Sequence, residues 1–402
     1  MEKVFIVAAK RTPIGAFGGS LKNTSAGNLA AVAIKGALEA AKLNADKIDE
    51  VIVGNVVGAG QGMGVGRQAA LFAGIPDAVP AYGVNMVCGS GMKTVMDAVS
   101  HIRSGDAEIV VAAGVEVMSQ IPFAAPSSIR DGNKMGNLEL KDLLVADGLT
   151  DVYNQYHMGV TAENVAKEIG LTRQQQDEYA LSSQQKAVAA IEVGKFKDEI
   201  VPVEVKQRRE TVLFDTDEYP KANATMEALS KLRPAFDREG TVTAGNASGI
   251  NDGASAIIVA SESAVKAHGL TPIAEIVSYA QSGLDPKIMG LGPVESVNKA
   301  LAKAELTVND IDAYELNEAF AAQALGVIHQ LAETNQVPVN AIQDKANFNG
   351  GAIALGHPLG ASGNRILVTL VHELHKQNGQ YGVASLCVGG GMGTAVVIKA
   401  VK

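Results

Sequence analysis

Short apolar runs alternate with longer amphipathic stretches along the whole chain. The runs have the length and β-branched content of buried strands, whereas the stretches between them place apolar residues at helical spacing. Strands are predicted at residues 4–8, 51–53, 109–113, 256–259, 313–316, 382–386 and 395–398. Because strands and helical patterns alternate, the predicted fold class is α/β.

The same order of elements occurs twice in the chain. Each copy has a helix, a polar link and a strand, and later a small-residue turn with Ser-Gly, an amphipathic helix and a buried strand. The matched blocks are 37–55 with 300–318, 88–102 with 360–374, and 104–114 with 378–388. Three matches in the same order predict a duplicated fold with two similar halves.

The segment between the two copies has no counterpart in either of them. Residues 119–249 are polar in places, include the basic run 206–209, and carry two helical patterns at 161–170 and 173–194. We interpret this segment as a large insertion, and the polar stretch 330–347 as a smaller insertion in the second half. The predicted domains are 1–118 plus 250–272, 119–249, and 273–402.

Composition excludes some classes of function. The chain has 402 residues and a net charge of −9, from 34 Lys and Arg against 43 Asp and Glu. Such an acidic chain is not expected to bind nucleic acid, which requires clustered basic residues. It has no apolar stretch long enough for a membrane span and no signal-peptide pattern. With only two cysteines, it is expected to be a cytoplasmic protein.

The glycine-rich segment 58–66 follows a predicted strand, as dinucleotide-binding loops do. The G-x-G-x-x-G spacing fails in every register, however, because the last required glycine is replaced by Met63, Val65 or Arg67. A flexible interface or covering loop is the better interpretation of this segment.

Cys88 is the first candidate for chemistry. It lies in NMVCGSGMKTVMDAV, where an apolar stretch leads into a glycine-rich turn and then a helix. The amides and dipole at a helix N-terminus favour the thiolate form of a cysteine. The glycines on either side of Ser90 would let a substrate approach the backbone. The alternative is a buried structural cysteine before a turn.

Cys387 and His357 are the candidates in the second half. Cys387 ends a buried strand and enters three glycines, and the amide of Gly389 could stabilise an oxyanion. His357 lies in NGGAIALGHPLGASG, on a constrained loop just before a helix, where it could accept a proton from a thiol. A structural role for either residue is the alternative.

Asn317 and Glu318 lie in YELNEAFAAQ, where a strand gives way to a helix. Polar side chains at such a junction either serve a site or cap the helix. The histidines and cysteines are too scattered to predict a metal site.

Four motifs in this order resemble the thiolase family along essentially the whole chain. They are VCGSG around Cys88, NEAF at 317–320, GGAIALGHP ending at 358, and CVGGGMG at 387–393, together with GTVTAGNASGINDGA at 240–254. The resemblance implies two similar halves in layers, each a mostly parallel five-stranded sheet covered by helices, with an inserted loop domain. It also implies a dimer of dimers, with 58–66 near that interface.

The resemblance also assigns roles in a reaction that joins two acetyl-CoA molecules into acetoacetyl-CoA, or reverses it. Cys88 would be the nucleophile, His357 would deprotonate it, and Cys387 would remove a proton from the second acetyl group. Asn317 would hold a water that, with His357, binds the enolate oxygen. The amides of Cys88 and Gly389 would bind the oxygen of the tetrahedral intermediate.

Coenzyme A would be a substrate rather than a permanently bound cofactor. The resemblance places four coenzyme-contacting residues in or beside the inserted domain and four residues around a short acyl pocket. The coenzyme contacts are His157, Lys221, Ala244 and Ser248, and the pocket residues are Met158, Phe236, Met289 and Phe320. Relatives often have Arg where this chain has Lys221, and Lys keeps the charge but loses planar stacking.

Other interpretations remain open from the sequence. A degradative thiolase is a close alternative, which activity on long-chain 3-ketoacyl-CoA would distinguish. Ketoacyl synthases of the same superfamily also have an active cysteine but pair it with other groups, often two histidines. A non-catalytic acyl-CoA-binding protein and a cysteine hydrolase are less consistent with the full set of motifs. If Cys88 and Cys387 converge on one substrate, a regulatory disulfide between them is a further hypothesis.

Overall fold

The computed structural model describes residues 2–207 and 210–402, so part of the basic run 206–209 lies outside the described residues. The strands are β1 Val4–Arg11, β2 Gly15–Ala16, β3 Glu50–Gly54, β4 Ala81–Val84, β5 Ile109–Val117, β6 Phe123–Ala124, β7 Lys141–Asp142, β8 Thr150–Asp151, β9 Tyr156–His157, β10 Val203–Gln207, β11 Glu210–Phe214, β12 Asn251–Ser261, β13 Ala274–Gly283, β14 Ala313–Leu316, β15 Tyr381–Val388 and β16 Met392–Ala400.

The α-helices are α1 Ala26–Ala41, α2 Val65–Phe72, α3 Ser90–Ser104, α4 Met158–Ile169, α5 Arg173–Glu192, α6 Met226–Ser230, α7 Glu262–His268, α8 Gly292–Lys303, α9 Ala321–Thr334, α10 Asn340–Gln343, α11 Ala352–Leu355 and α12 Leu359–Gln377. Short 3-10 helices lie at Ala45–Lys47, Met118–Gln120, Ser127–Asp131, Pro286–Leu291 and Val308–Asp310, and a π-helical turn covers Leu144–Leu149. Among these, no helix has the length and apolar composition needed to cross a membrane.

One large sheet runs through the molecule in the order β14-β15-β16-β13-β1-β12-β5-β3-β4. Its two halves are built alike. Toward the centre of the sheet, the first half has the order β3, β5, β12, β1, and the second half has the corresponding order β14, β15, β16, β13. The halves meet where β1 pairs with β13 through only Phe5 with Glu275 and Ile6 with Ala274. The duplicated α/β fold predicted from the sequence is therefore present.

The expectation of mostly parallel half-sheets is wrong. In the first half, β4, β3 and β5 are parallel, but β5 with β12 and β12 with β1 are antiparallel. In the second half only β14 and β15 are parallel. The cause is clearest at β15 and β16, which are joined by the short turn 389–391. So short a connection allows only antiparallel pairing.

Helices cover both faces of the sheet, and α3 and α12 form the central layer. Apolar residues of these two helices pack with one face of both half-sheets in a single core. The outer faces pack against α1 and α2 in the first half and against α8 and α9 in the second. Since α3 follows Cys88 and α12 follows His357, this central packing brings the beginnings of the two helices together.

Two strands in the order given for the large sheet, β4 and β13, were not predicted from the sequence. Ala81–Val84 is short, contains a glycine and is half-exposed at the sheet edge, so it has no clear apolar pattern. Ala274–Gly283 alternates buried with less buried polar positions. In contrast, the helical pair predicted at 161–170 and 173–194 is present as α4 and α5, and Thr172 and Gln175 form a capping box at the start of α5.

Candidate active site

Cys88 lies in a tight turn between β4 and α3, as the sequence predicts. The turn places the cysteine directly before the N-terminus of α3, whose first helical residue is Ser90. Val87, immediately before the cysteine, has a positive φ of 46°. Residues with a branched Cβ rarely adopt this backbone conformation, so the residue directly before the thiol is strained.

The second half reaches this turn at the end of β15. The amide of Gly389 is near enough to the sulfur of Cys88 to lower the pKa of the thiol. A Cβ placed on Gly89 would lie 2.9 Å from Cγ2 of Val388, closer than real Cβ atoms approach another atom. Glycine at this position therefore permits the two halves to touch beside the thiol.

The pKa of Cys88 differs from the sequence expectation. The helix N-terminus was expected to favour the thiolate, but burial raises the pKa of this thiol to about 11, and the amide of Gly389 only partly offsets that. Desolvation disfavours the charged form more strongly than the available amides favour it. The resting thiol is therefore protonated and requires a base.

Cys387 lies at the end of β15 with an exposed fraction of 1%. Burial raises its pKa far above the usual value, and the charge of Cys88 raises it further. The two cysteines lie in neighbouring segments, because Gly89 and Val388, which follow them in sequence, approach each other closely. Both cysteines are free rather than joined in a disulfide.

His357 lies on the loop between α11 and α12, and its ring has a defined tautomer. Nδ1 is 2.6 Å from Oγ of Ser362. The Ser362 hydroxyl donates its proton to the carbonyl of Pro358 at 3.0 Å, so its oxygen is left to accept from Nδ1–H. Nε2 then carries the lone pair, and it is buried without a partner among the described residues.

The environment of His357 keeps the ring neutral. Burial, with a smaller contribution from the charge of Arg365, lowers the pKa of His357 to about 4. A neutral imidazole with a free Nε2 is the form that accepts a proton. Ser362 was not identified from the sequence as part of the site, although it occupies the position of Ser90 in the repeat.

Asn317 follows β14 and is 1% exposed. Neither its Oδ1 nor its Nδ2 has a hydrogen-bond partner within residues 2–207 and 210–402. Its side chain does not cap α9, which begins at Ala321 without a side-chain cap. A buried amide left open in this way is prepared for a ligand or water.

Glu318 has a different role from its neighbour. Its carboxylate accepts hydrogen bonds from Ser183 at 2.7 Å, Asn347 at 2.8 Å and Tyr179 at 3.2 Å. It thereby connects α5 of the inserted segment to the loop that leads to His357. Glu318 does not cap α9 either, so the capping alternative is also wrong for this residue. Its hydrogen bonds instead hold together the segments that surround the site.

A cavity of about 520 Å³ has His357 in its wall. Three of the predicted coenzyme contacts line it, together with residues of both halves, and it extends from the exposed Phe17 to the buried His357. The predicted coenzyme contacts in its wall are His157, Ala244 and Ser248. Lys221 does not line the cavity. Its ammonium lies 5.7 Å from the ring of Tyr219, and Tyr219 does line the cavity.

The four predicted acyl-pocket residues do come together. Met158, Met289 and Phe320 pack in one apolar cluster with Cys387, and Phe236 packs against that cluster. Phe236 and Phe320 also line the cavity, so the cavity and the cluster are continuous. The sequence did not indicate Phe17 or Tyr219, which join the wall only through the fold.

His157 begins α4 and faces the same cavity. Its ring stacks on Phe236 with centroids 4.5 Å apart, and its Nδ1 accepts from the amide of Gly159 at 3.0 Å. Burial lowers the pKa of His157. Since Nδ1 is an acceptor, Nε2 carries the proton and is the available donor.

Comparisons with known proteins agree with this geometry. The thiolase N-terminal domain matches residues 4–263 and the thiolase C-terminal domain matches residues 270–400. The chain belongs to the thiolase family and is therefore an acyltransferase.

Individual relatives cover the chain from end to end. An acetyl-CoA acetyltransferase of Cupriavidus necator is 54% identical over 99% of this chain and 100% of its own length. The solved acetyl-CoA acetyltransferase of Syntrophomonas wolfei superposes with a TM-score of 0.96 at 39% identity, covering 100% of both chains. Human mitochondrial 3-ketoacyl-CoA thiolase, solved with CoA, gives 0.93 at 46% identity, covering 100% of this chain and 98% of that one.

Proposed function

We propose that the protein is an acetyl-CoA acetyltransferase, which condenses two acetyl-CoA to acetoacetyl-CoA and CoA and catalyses the reverse thiolysis. The observation that carries the proposal is the cavity with the buried, neutral His357 in its wall, which continues into the short apolar cluster that contains Cys387. Relatives named acetyl-CoA acetyltransferase at 54% and 53% identity support it.

Acylation is the first half-reaction. Nε2 of His357 takes the proton of Cys88, and the thiolate attacks the thioester carbonyl. The amides of Cys88 and Gly389 stabilise the negative oxygen of the tetrahedral intermediate. Coenzyme A leaves as a thiolate, is protonated by Cys387, and an acetyl group remains on Cys88. The proximity of the Gly389 amide to the Cys88 sulfur supports this placement of the donor.

Condensation is the second half-reaction. The thiolate of Cys387 removes a proton from the methyl group of a second acetyl-CoA. The enolate oxygen is held by the proton now on His357 and by a water bound to Asn317. The new carbon–carbon bond forms at the acetyl carbonyl, and Cys88 leaves and recovers its proton from His357. The raised pKa of Cys387 supports this role, because a thiolate of high pKa is a strong base.

Chain-length selection follows from the cluster behind the thiols. Met158 and Met289 are buried and pack directly with Cys387 and Phe320. These side chains leave the acyl end of the site closed, which favours an acetyl or acetoacetyl group over a longer chain. The same packing makes the degradative thiolase the less favoured alternative.

The coenzyme is proposed to act as a substrate only, and the inserted domain 119–249 to hold it. A cytoplasmic homotetramer that serves fatty acid or isoprenoid precursor metabolism is the corresponding biological proposal. The exposed edge strand β4 and the exposed Met63 and Phe72 near segment 58–66 support assembly through this side. Light scattering of the purified chain measures the assembly directly.

The first experiment is a chain-length series in the thiolysis direction, followed by loss of 3-ketoacyl-CoA absorbance. Acetoacetyl-CoA should be cleaved and long-chain 3-ketoacyl-CoA should not, and Cys88→Ala should abolish cleavage. Broad activity on long chains would identify a degradative thiolase. Inactivity at every length, with coenzyme binding intact, would contradict the catalytic proposal.

A further inference from the structure

The turn that carries Cys88 contains a conformation that requires support. Val87 is branched at Cβ and has a φ of 46°, whereas most residues with positive φ in this chain are glycine, Asn, Gln, Glu or Lys. The left-handed region is unfavourable for β-branched residues, because the side chain crowds the backbone. Without further contacts, the backbone at Val87 would relax to negative φ and reorient the Cys88 peptide.

Two side chains hold the peptide groups around Val87. Oδ1 of Asn85 accepts a hydrogen bond from the amide of Val87 at 3.0 Å. Oγ of Ser90 accepts from the amide of Met86 at 2.9 Å and donates to the carbonyl of Val87 at 2.6 Å. A change of φ at Val87 would break these contacts together.

The two supports are anchored differently. Ser90 is fully buried at the start of α3, so its hydroxyl has no water to exchange with. Asn85 is exposed, but its Nδ2 donates to the carbonyl of Val56 at 2.9 Å, which ties the turn to the end of β3. The stronger constraint is therefore expected from Ser90.

The repeat places a second serine at the same position. Ser90 corresponds to Ser362, whose hydroxyl donates to the carbonyl of Pro358 and accepts from His357. In each half, the hydroxyl at this position binds the backbone of the preceding turn. In the second half it also fixes the catalytic base, whereas in the first half its acceptor function is used on the turn itself.

We propose that Ser90, assisted by Asn85, is a positioning residue that holds Val87 in its strained conformation and thereby keeps the Cys88 sulfur at the amide of Gly389. The proposal rests on the proposed role of Cys88 as the nucleophile. Ser90 itself does not contact the reacting atoms. It acts through the backbone of residues 86–88.

The test compares Ser90→Ala with Thr94→Val, which removes another buried hydroxyl from the same helix, one that bonds only the carbonyl of Gly91 at 2.8 Å. Ser90→Ala should lower kcat for thiolysis about tenfold or more, with KM nearly unchanged, whereas Thr94→Val should not. Equal kcat in wild type and Ser90→Ala would overturn the proposal.

A second substitution distinguishes positioning from a general loss of structure. Glycine adopts positive φ without strain, so adding Val87→Gly to Ser90→Ala should raise kcat above that of Ser90→Ala alone. A double variant no better than the single one would contradict the strain argument. If Ser90→Ala does not fold, the exposed Asn85 supplies the same test. Asn85→Ala should lower kcat, and Asn85→Asp, which retains the acceptor for the Val87 amide but loses the donor to Val56, should lower it less. Equal kcat in Asn85→Ala and wild type would contradict the proposal.

A measurement independent of the acyltransferase reaction separates this proposal from the proposed function. The pH dependence of Cys88 alkylation by iodoacetamide, followed by peptide mass spectrometry, gives the apparent pKa of the thiol. That pKa should rise in Ser90→Ala, because the sulfur loses the Gly389 amide. An unchanged pKa would reject the positioning role even if wild-type protein cleaves acetoacetyl-CoA. Failure of wild type to cleave it would instead reject the proposed function.

Discussion

The two halves share one topology and contribute different chemistry. Each has a turn before a central helix with a serine at the same position, yet the first half places Cys88 on its turn and the second places His357 on its own. The repeat aligns Cys387, near the end of β15, with Ala113 in the middle of β5. The duplicated fold thus supplies two equivalent scaffolds, and in the proposed reaction each serves a separate task.

This division of tasks also explains the contact between the halves. Cys88 meets the amide of Gly389 across the boundary, and Glu116 of β5 accepts from the amide of Gly360 at the start of α12 at 2.9 Å. Glu116 also accepts from the amides of Val56 and Val57. A buried carboxylate with donors from both halves fixes their relative position at the site.

The largest effect on activity is expected from Cys387→Ala, which tests whether the two thiols have different roles. Cys387→Ala should reduce condensation about a thousandfold, because the base for carbon is lost. Acetyl transfer from labelled acetyl-CoA to Cys88 should continue at a lower rate, because the coenzyme can leave as a thiolate without the proton of Cys387. Stoichiometric labelling of the protein, with the labelled peptide mapped to residue 88, checks this. Full condensation activity in Cys387→Ala would show that the halves do not divide the reaction as described.

A smaller effect is expected at the serine of the second half. Ser362→Ala removes the acceptor of Nδ1–H, so the ring of His357 populates the wrong tautomer and kcat should fall about ten- to hundredfold. Ser278→Ala is the matched control, since this buried serine of the same half bonds only the carbonyl of Ala300. Comparable losses in both variants would indicate a general packing effect.

The neutral His357 should make stability depend on pH. Its pKa is about 4 in the folded protein, below the value of about 6.5 in the unfolded chain, so the unfolded state binds more protons between these values. The contribution of neutral His357 to the free energy of unfolding is complete above pH 6.5 and is lost as the pH falls toward 4. Between pH 7 and pH 5, the wild type should lose about 2 kcal/mol more unfolding free energy than His357→Asn. Urea titrations at both pH values measure the difference, and parallel losses would contradict it.

The smallest effect is expected at the coenzyme end of the cavity. Lys221→Ala should raise the KM for coenzyme A about two- to fivefold at low salt without changing kcat, because an exposed cation contributes little and is screened. Lys231→Ala, an exposed lysine paired with Glu227, serves as the control. A large fall in kcat would place Lys221 closer to the chemistry than the structure does.

Much of the fold followed from local pattern. The strand predicted at 313–316 coincides with β14, and the turn before α3 and the helical pair α4 and α5 were predicted from residues in sequence order. The direction of pairing did not follow, although the short glycine turn between β15 and β16 was a visible sign of an antiparallel hairpin.

The candidate site also has features that the sequence predicted and features that it did not. The resemblance named Cys88, Cys387, His357 and Asn317, but their surroundings depend on residues distant in sequence. The raised pKa of Cys88 comes from its burial in the folded chain, and the tautomer of His357 comes from Ser362. Burial of this kind depends on tertiary packing. The sequence predicts that Cys88 precedes a helix, but it does not reveal how deeply the thiol is buried.

The narrow pairing between β1 and β13 has a consequence for biosynthesis. A ribosome completes the first half, with its thiol, well before it delivers the loop of His357 and the strand of Cys387. Until the second half docks, Cys88 lacks both its proton acceptor and the amide of Gly389. Under the proposed function, we therefore expect a nascent or truncated chain to display an ordinary cysteine, and acyl transfer to begin only after synthesis is complete.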